Sequence, residues 1–270
     1  MKSIIFIKQY IIILAIVGLL QSCSSMYIPA VRSIPLFEEK GEFQGEAGIS
    51  TNSIYANASC AITNKIAASV NGNLSFRNFS NRYDLFTDIY QPPPTTSGWL
   101  GWFTPDLRGS FAHRYGEVSA GRINILPNFL MKLEVFGGAG MGRATDIDRF
   151  ENDNEYKVDY YSFFGQGNLG FKKRFLEAGA SLRLAYSRFN CVANLHEEAD
   201  EHRKIDVCHV EPMFFARVGK GNVKAVFRVG VNIPFDPNKE SIVFYRCDYT
   251  IFHLSMGVSY RIMGKKPLKN

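Results

Sequence analysis

From Leu176 the even positions are Leu176, Ala178, Ala180, Leu182, Leu184 and Tyr186, and the odd ones are Glu177, Gly179, Ser181, Arg183, Ala185 and Ser187. One side is wholly apolar. Before the basic turn Lys172, Lys173, Arg174, the residues Phe163, Gly165, Gly167, Leu169 and Phe171 alternate in the same way with Ser162, Phe164, Gln166, Asn168 and Gly170. A period of two belongs to β-structure, so residues 160–187 predict a hairpin with one apolar and one polar face. Each strand runs to about twelve residues, against the usual ~5–6. A helix-based fold is excluded for this stretch, and the length asks what the apolar face meets.

Residues 1–22 stand apart from the fold. Lys2 and Lys8 give a basic start, an apolar run follows to Leu20, and Gln21, Ser22 and Cys23 come directly after. That is the pattern of an export signal. The run is too short for a membrane helix, which takes about 20 apolar residues. Its ending resembles the lipobox of bacterial lipoproteins, which implies an acylated Cys23 as the mature N-terminus, although Gln21 departs from the small residue usual there. Removing residues 1–22 takes away two lysines and no acid, so the net charge falls from +6 to +4. No basic cluster with interleaved aromatics follows, so nucleic acid is not an expected partner. No later apolar run is long enough for a spanning helix, so any membrane-crossing part must be a closed barrel.

Residues 23–42 contain Pro29 and Pro35 without alternation and read as a stiff, extended tether. Strands are then expected at 43–49, 54–62, 66–76, 108–123, 129–141, in the two arms of the hairpin, and at 207–218, 222–233 and 249–262. Long polar loops at 77–105, 142–159, 188–206 and 234–248 separate them, alternating with tight turns. Residues 263–270 form a short basic tail. Strand four is the least regular: a turn at Tyr115 and Gly116 would change the count, so eight or twelve strands stand as alternatives to ten. Tight turns at one end and long loops at the other are the signature of an outer-membrane barrel. The fold class expected is therefore all-β, a transmembrane antiparallel up-and-down barrel of ten strands spanning 43–262. Its ends would both lie at the turn end, letting the tether reach the inner leaflet of the membrane without threading anything. A soluble sandwich also alternates, but buries its apolar faces against each other.

The segments CSSMYIP from Cys23, PLFEEKGE from Pro35, QGNLGFK from Gln166 and LEAGASLRLAY from Leu176 make the chain similar to small, mostly uncharacterised outer-membrane barrel lipoproteins of Bacteroidota. The resemblance implies a place and a fold, and it carries over no catalytic residue.

Charge collects on the inward side: Glu46, Glu117, Glu134, Glu177 and Glu211 against Lys132, Arg183, Arg217, Lys224, Arg228 and Arg261. Ions held out of bulk water need partners, so these predict an ion-pair network closing the lumen, or a gate whose pairs exchange to admit small solutes. Cys191 and Cys208 are the candidate disulfide of an exported chain. His196, Glu197, Glu198, His202 and His209 lie nearby and offer zinc-ligand types, but the short-spaced Cys and His anchors of such sites are missing and no metal is expected. His113 near Ser110, His209 near Glu211 and His253 near Ser255 are the only candidates for base chemistry, and none carries the spacing of an omptin protease or a barrel deacylase. Trp99, Trp102 and Phe103 in the first long loop form either an interfacial girdle or an outward contact surface for protein or carbohydrate. The functional expectation is an outer-membrane β-barrel lipoprotein, its long loops outward, with a structural or surface-interaction role, no catalysis and no cofactor. A narrow porin-like channel is the alternative, and a membrane-embedded hydrolase the third reading.

Overall fold

A computed structural model describes residues 25–51, 53–75, 112–125, 131–148, 154–173, 175–194, 201–235, 248–249 and 252–262. Ten barrel strands follow in chain order: β1 Phe43–Ser50, β2 Ile54–Ala61, β3 Ile66–Ser75, β4 Ala112–Arg122, β5 Met131–Asp148, β6 Asn154–Lys172, β7 Leu176–Asn194, β8 Glu201–Val218, β9 Val223–Val231 and β10 Phe252–Ile262. Each strand pairs antiparallel with its sequence neighbour, and β10 pairs with β1 from Ser255↔Ser50 to Ile262↔Phe43. The sheet therefore closes on itself. A short extension of β9, Ile233–Phe235, stays paired to β8 beyond a break at Asn232. Pairing runs unbroken through Tyr115↔Asn73 and Gly116↔Gly72 on one side of β4 and through Gly116↔Met141 on the other. No turn interrupts β4, and the count is ten.

Outward positions around the whole barrel are large and apolar: Ile49, Val70, Val118, Leu184, Phe214, Phe227 and Val258 are each at least half exposed. Soluble monomers seldom expose apolar patches beyond a few hundred Å². A continuous belt on a closed barrel with a polar interior is the arrangement of an outer-membrane barrel, whose outer face meets lipid. Leu184→Arg, in this belt, is expected to cost about 2–4 kcal/mol, whereas the same change at outward-facing Asn190, farther along β7, is expected to cost ~0–1. Denaturant unfolding from lipid bilayers measures both.

Four strands outrun the bilayer. β5 to β8 have 18 or 19 residues, against about 9–11 needed to cross, and the excess lies at the loop end. There the pattern inverts. Val158, Phe189, Ile205 and Val207 point inward and are buried, while Arg143 and Asp159, and Arg188 and Asp206, form exposed pairs on the outer surface at 2.5 Å. The hydrogen bond from each arginine holds its partner aspartate below the usual carboxylate range. Tyr161 and Tyr186 lie one step nearer the belt, and Arg188 donates to the Tyr186 hydroxyl at 3.0 Å.

The expected tether is not outside the barrel. Residues 27–37 are buried throughout, because they run along the inside of the lumen. Ser25 and Tyr27 pair with Asp248 and Tyr249 at the loop end. Phe37 packs with Ala61, Ala67, Ile123 and Phe136 at the turn end. The chain then reverses, with Leu36 and Gly41 both in the left-handed region at φ 50 and 79, and enters β1. A segment carrying Ile28, Val31, Ile34, Leu36 and Phe37 buries those side chains against the inward apolar rows of the wall: Ile28 with Val158, Phe189 and Val207, Phe37 with Phe136, and Ile34 and Leu36 with Met213 and Phe215. The reach toward the inner leaflet predicted from the tether gives way accordingly: its described N-terminal end lies at the loop end.

Candidate functional site

The lumen holds every predicted network residue, and all of Glu46, Glu134, Glu177, Arg183, Glu211, Arg217 and Arg228 are buried. Alternation alone puts them there, since each occupies the polar parity of its strand. Near the turn end Glu177 is the hub, 3.1 Å from Arg217, 3.0 Å from Lys224 and 3.1 Å from Arg261. Glu46 accepts from both terminal guanidinium nitrogens of Arg228, from Nη2 at 2.7 Å, and lies 3.6 Å from Arg217. Farther toward the loop end Arg183 grips Glu117 with two bonds of 2.8 Å, and Asn71 and the Tyr115 hydroxyl donate to the same carboxylate. The Arg183 guanidinium also lies over the Phe164 ring, 3.9 Å from its centroid. Such fork geometry is the strong form of ion pairing.

The N-terminal segment is wired into this lattice. Arg32 donates to the Glu211 carboxylate at 2.9 Å and to its backbone carbonyl at 2.7 Å, and the Tyr27 hydroxyl donates to Glu211 at 2.8 Å. Gln166 donates to the Ser33 carbonyl, Arg217 to that of Ile34 and Arg261 to that of Pro35. Phe37 N–H donates to Glu134 at 2.9 Å, and the Ser33 and Ser59 hydroxyls share a short hydrogen bond. The segment cannot add a regular strand where Pro29 and Pro35 lack an N–H. Side chains from the wall satisfy its carbonyls instead, as buried backbone requires. Arg32 is the network residue that sequence reading missed. Its signal was the apolar character of its neighbours, which does not suit a spacer in water.

Room for the segment comes from the inner face of β5. A methyl group at Gly140 would fall 2.2 Å from the Tyr115 hydroxyl, and one at Gly142 2.4 Å from the Tyr160 ring. Those two tyrosines lie flat against the wall, stacked at 5.7 Å, and the Tyr27 ring meets Tyr160 edge-on at 5.8 Å.

On β2, β3 and the loop-end half of β10 the lumen is polar and neutral. The side-chain atoms of Asn57, Asn73, His253 and Ser255 are enclosed there without a hydrogen bond in the protein. His113 Nε2 meets the Tyr160 hydroxyl at 2.8 Å, and His209 Nδ1 meets Asn232 at 3.1 Å while its ring stacks on Tyr27. The pairing of His253 with Ser255 weighed for base chemistry is not made, and Ser110 lies outside the described residues. Among the described residues no group of His, Cys, Asp and Glu is placed to hold a metal.

The disulfide expectation is overturned by register. Cys191 stands opposite Arg203, and Cys208 stands opposite Tyr186, five residues away along β7. That offset is roughly 17 Å of strand, and a disulfide needs Cα atoms within about 7 Å. The side chains also face opposite ways, Cys191 inward and Cys208 outward. Cys23, Trp99, Trp102, Phe103, Cys247 and residues 195–200 lie outside the described residues.

Fold and lumen together define an outer-membrane-type β-barrel whose interior is filled by its own N-terminal segment. No family model matches the chain, and no curated protein matches it. Among solved structures the chain is similar to the crystal structure of the outer membrane protease OmpT from Escherichia coli, at 11% identity, over 82% of this chain and 93% of that one, with a TM-score of 0.48.

Proposed function

We propose that the protein is a closed, non-conducting barrel lipoprotein of the outer membrane, with a structural or surface-interaction role carried by its long loops. The observation that supports this most directly is the N-terminal segment buried along the lumen and tied to β2, β5, β6, β8 and β10 by hydrogen bonds. Acylation at Cys23, two residues before Ser25, would then place a lipid anchor beside the long loops rather than at the turn end. The loops and this anchor would face outward together, and the loop aromatics Trp99, Trp102 and Phe103 would offer a contact surface to protein or carbohydrate.

A narrow channel is the second reading, favoured by the neutral polar row at Asn57, Asn73, His253 and Ser255. Planar-bilayer recording of the full chain separates the two. The proposal expects no steady single-channel current; a resolved conductance in the wild-type protein would establish the channel instead.

A further inference from the structure

At the turn end, on the face away from the long loops, a cavity of about 500 Å³ opens between the β6–β7 turn, the β8–β9 turn and β10. That is within the usual size range of a small-molecule site. Both turns arm it with lysine: Lys172 and Lys173 from one, Lys220 and Lys224 from the other, and Arg261 reaches in from β10. Two carboxylates share the wall, leaving a surplus of three positive charges. Both carboxylates are already engaged. Glu177 is surrounded by Arg217, Lys224 and Arg261 at 3.0 to 3.1 Å, and Glu38 stands 3.9 Å from Lys132 and 3.6 Å from Lys172.

Lys172 is the informative member. Its side chain is 15% exposed, its Nζ is enclosed, and it makes no hydrogen bond in the protein. The nearest carboxylate oxygens, on Glu38 and Glu42, stand at 3.6 and 3.7 Å, beyond good hydrogen-bond reach. An ammonium has three donors to place, and the Lys172 side chain is among those that line the cavity. Arg261 spends its Nη2 donors on Pro35 and Gln44, and its Nη1 lies 3.1 Å from Glu177, so four of the five cations that line the mouth are lysines. Planar carboxylates are best read by the arginine fork, whereas lysine acts as a point charge suited to a tetrahedral, many-oxygen anion.

We infer that this mouth binds a phosphate group, presented by a soluble phosphate ester or by a phospholipid headgroup of the adjoining leaflet. The probe is pyrophosphate, titrated calorimetrically into the full chain in maltoside micelles at low ionic strength. Saturable one-to-one binding is expected, weakened roughly tenfold or more in Lys173→Gln/Lys220→Gln and again in Lys172→Gln. Lys204→Gln, an exposed lysine on β8 toward the loop end, controls for unspecific attraction and should leave binding unchanged. Heat-modifiable migration on a gel verifies that each variant is folded. Doping the micelles with lysophosphatidylglycerol distinguishes the sources: displacement of pyrophosphate assigns the headgroup, and unchanged binding assigns a soluble phosphate. Absence of saturable binding, or equal weakening by Lys204→Gln, would overturn the site.

Discussion

An Arg183→Met barrel is expected to unfold about 3–5 kcal/mol more readily than the wild type, because Glu117 would be left charged and enclosed without its cation. Glu117 has no spare solvent to turn to: it is 3% exposed, and its remaining neighbours, Asn71 and Tyr115, are neutral donors. Arg183→Met/Glu117→Gln should recover more than half of the loss, since the glutamine Oε1 can accept from Asn71 while its amide N–H donates to the Tyr115 hydroxyl, and it carries no charge. Arg183→Lys should not recover it, because an ammonium cannot reproduce the two parallel bonds of 2.8 Å or the contact with the Phe164 ring. Unfolding in denaturant from bilayers reads all three. A loss below about 1 kcal/mol in Arg183→Met would mean that the pair is hydrated and exchangeable, which is the gate reading of the lumen charges.

The second large effect concerns the N-terminal segment. Deleting residues 27–37 removes the cation of Glu211, the N–H bound to Glu134 and the apolar partners of Met213, Phe215 and Phe136. The shortened chain should lose heat-modifiable migration at a markedly lower temperature, and any barrel that still forms should conduct ions more readily than the full chain. A second variant keeps the test decisive if the deletion fails to fold. Ser33→Cys/Ser59→Cys places two thiols where hydroxyls already share a hydrogen bond, so mild oxidation should link the segment to β2 and shift the migration of the fragment released by cleavage between them. Failure of those thiols to join in a folded barrel would remove the segment from the lumen.

Most of the wall was legible because lipid and lumen impose opposite demands on alternate residues. Within the bilayer, parity alone assigned Leu182 and Leu184 outward and Glu177 and Arg183 inward, and the barrel keeps both assignments. The strands were read too short at β5 to β8 for the same physical reason. Past Phe163 toward the loop end the environment outside the wall changes from lipid to water, so polar Asp159 faces out while Val158 and Tyr160 face in. The strand continues, but its apolar side changes, and a rule that follows one apolar row stops there. The Cys191–Cys208 pairing failed because sequence proximity around a loop says nothing of register, and an extended hairpin had carried the two residues apart. The lumen segment was missed because prolines suggested a spacer, when what mattered was the apolar company of Arg32 and the inward-facing Phe136, which packs against Phe37.

The hydrogen bonds that hold the segment also set an order of events for the chain. Arg32 meets Glu211 across 179 positions, Arg217 meets Ile34 across 183, and Arg261 meets Pro35 across 226. None of these contacts can form until the chain has reached at least Glu211, and each closes a long loop whose entropy is lost before the contact is gained. The wiring of Arg32, Ile34 and Pro35 is thus among the last to be fixed, and assembly should show a slow phase in which a complete wall waits for its interior. Compounds or chaperones that hold residues 27–37 would act on that interval and leave strand pairing untouched.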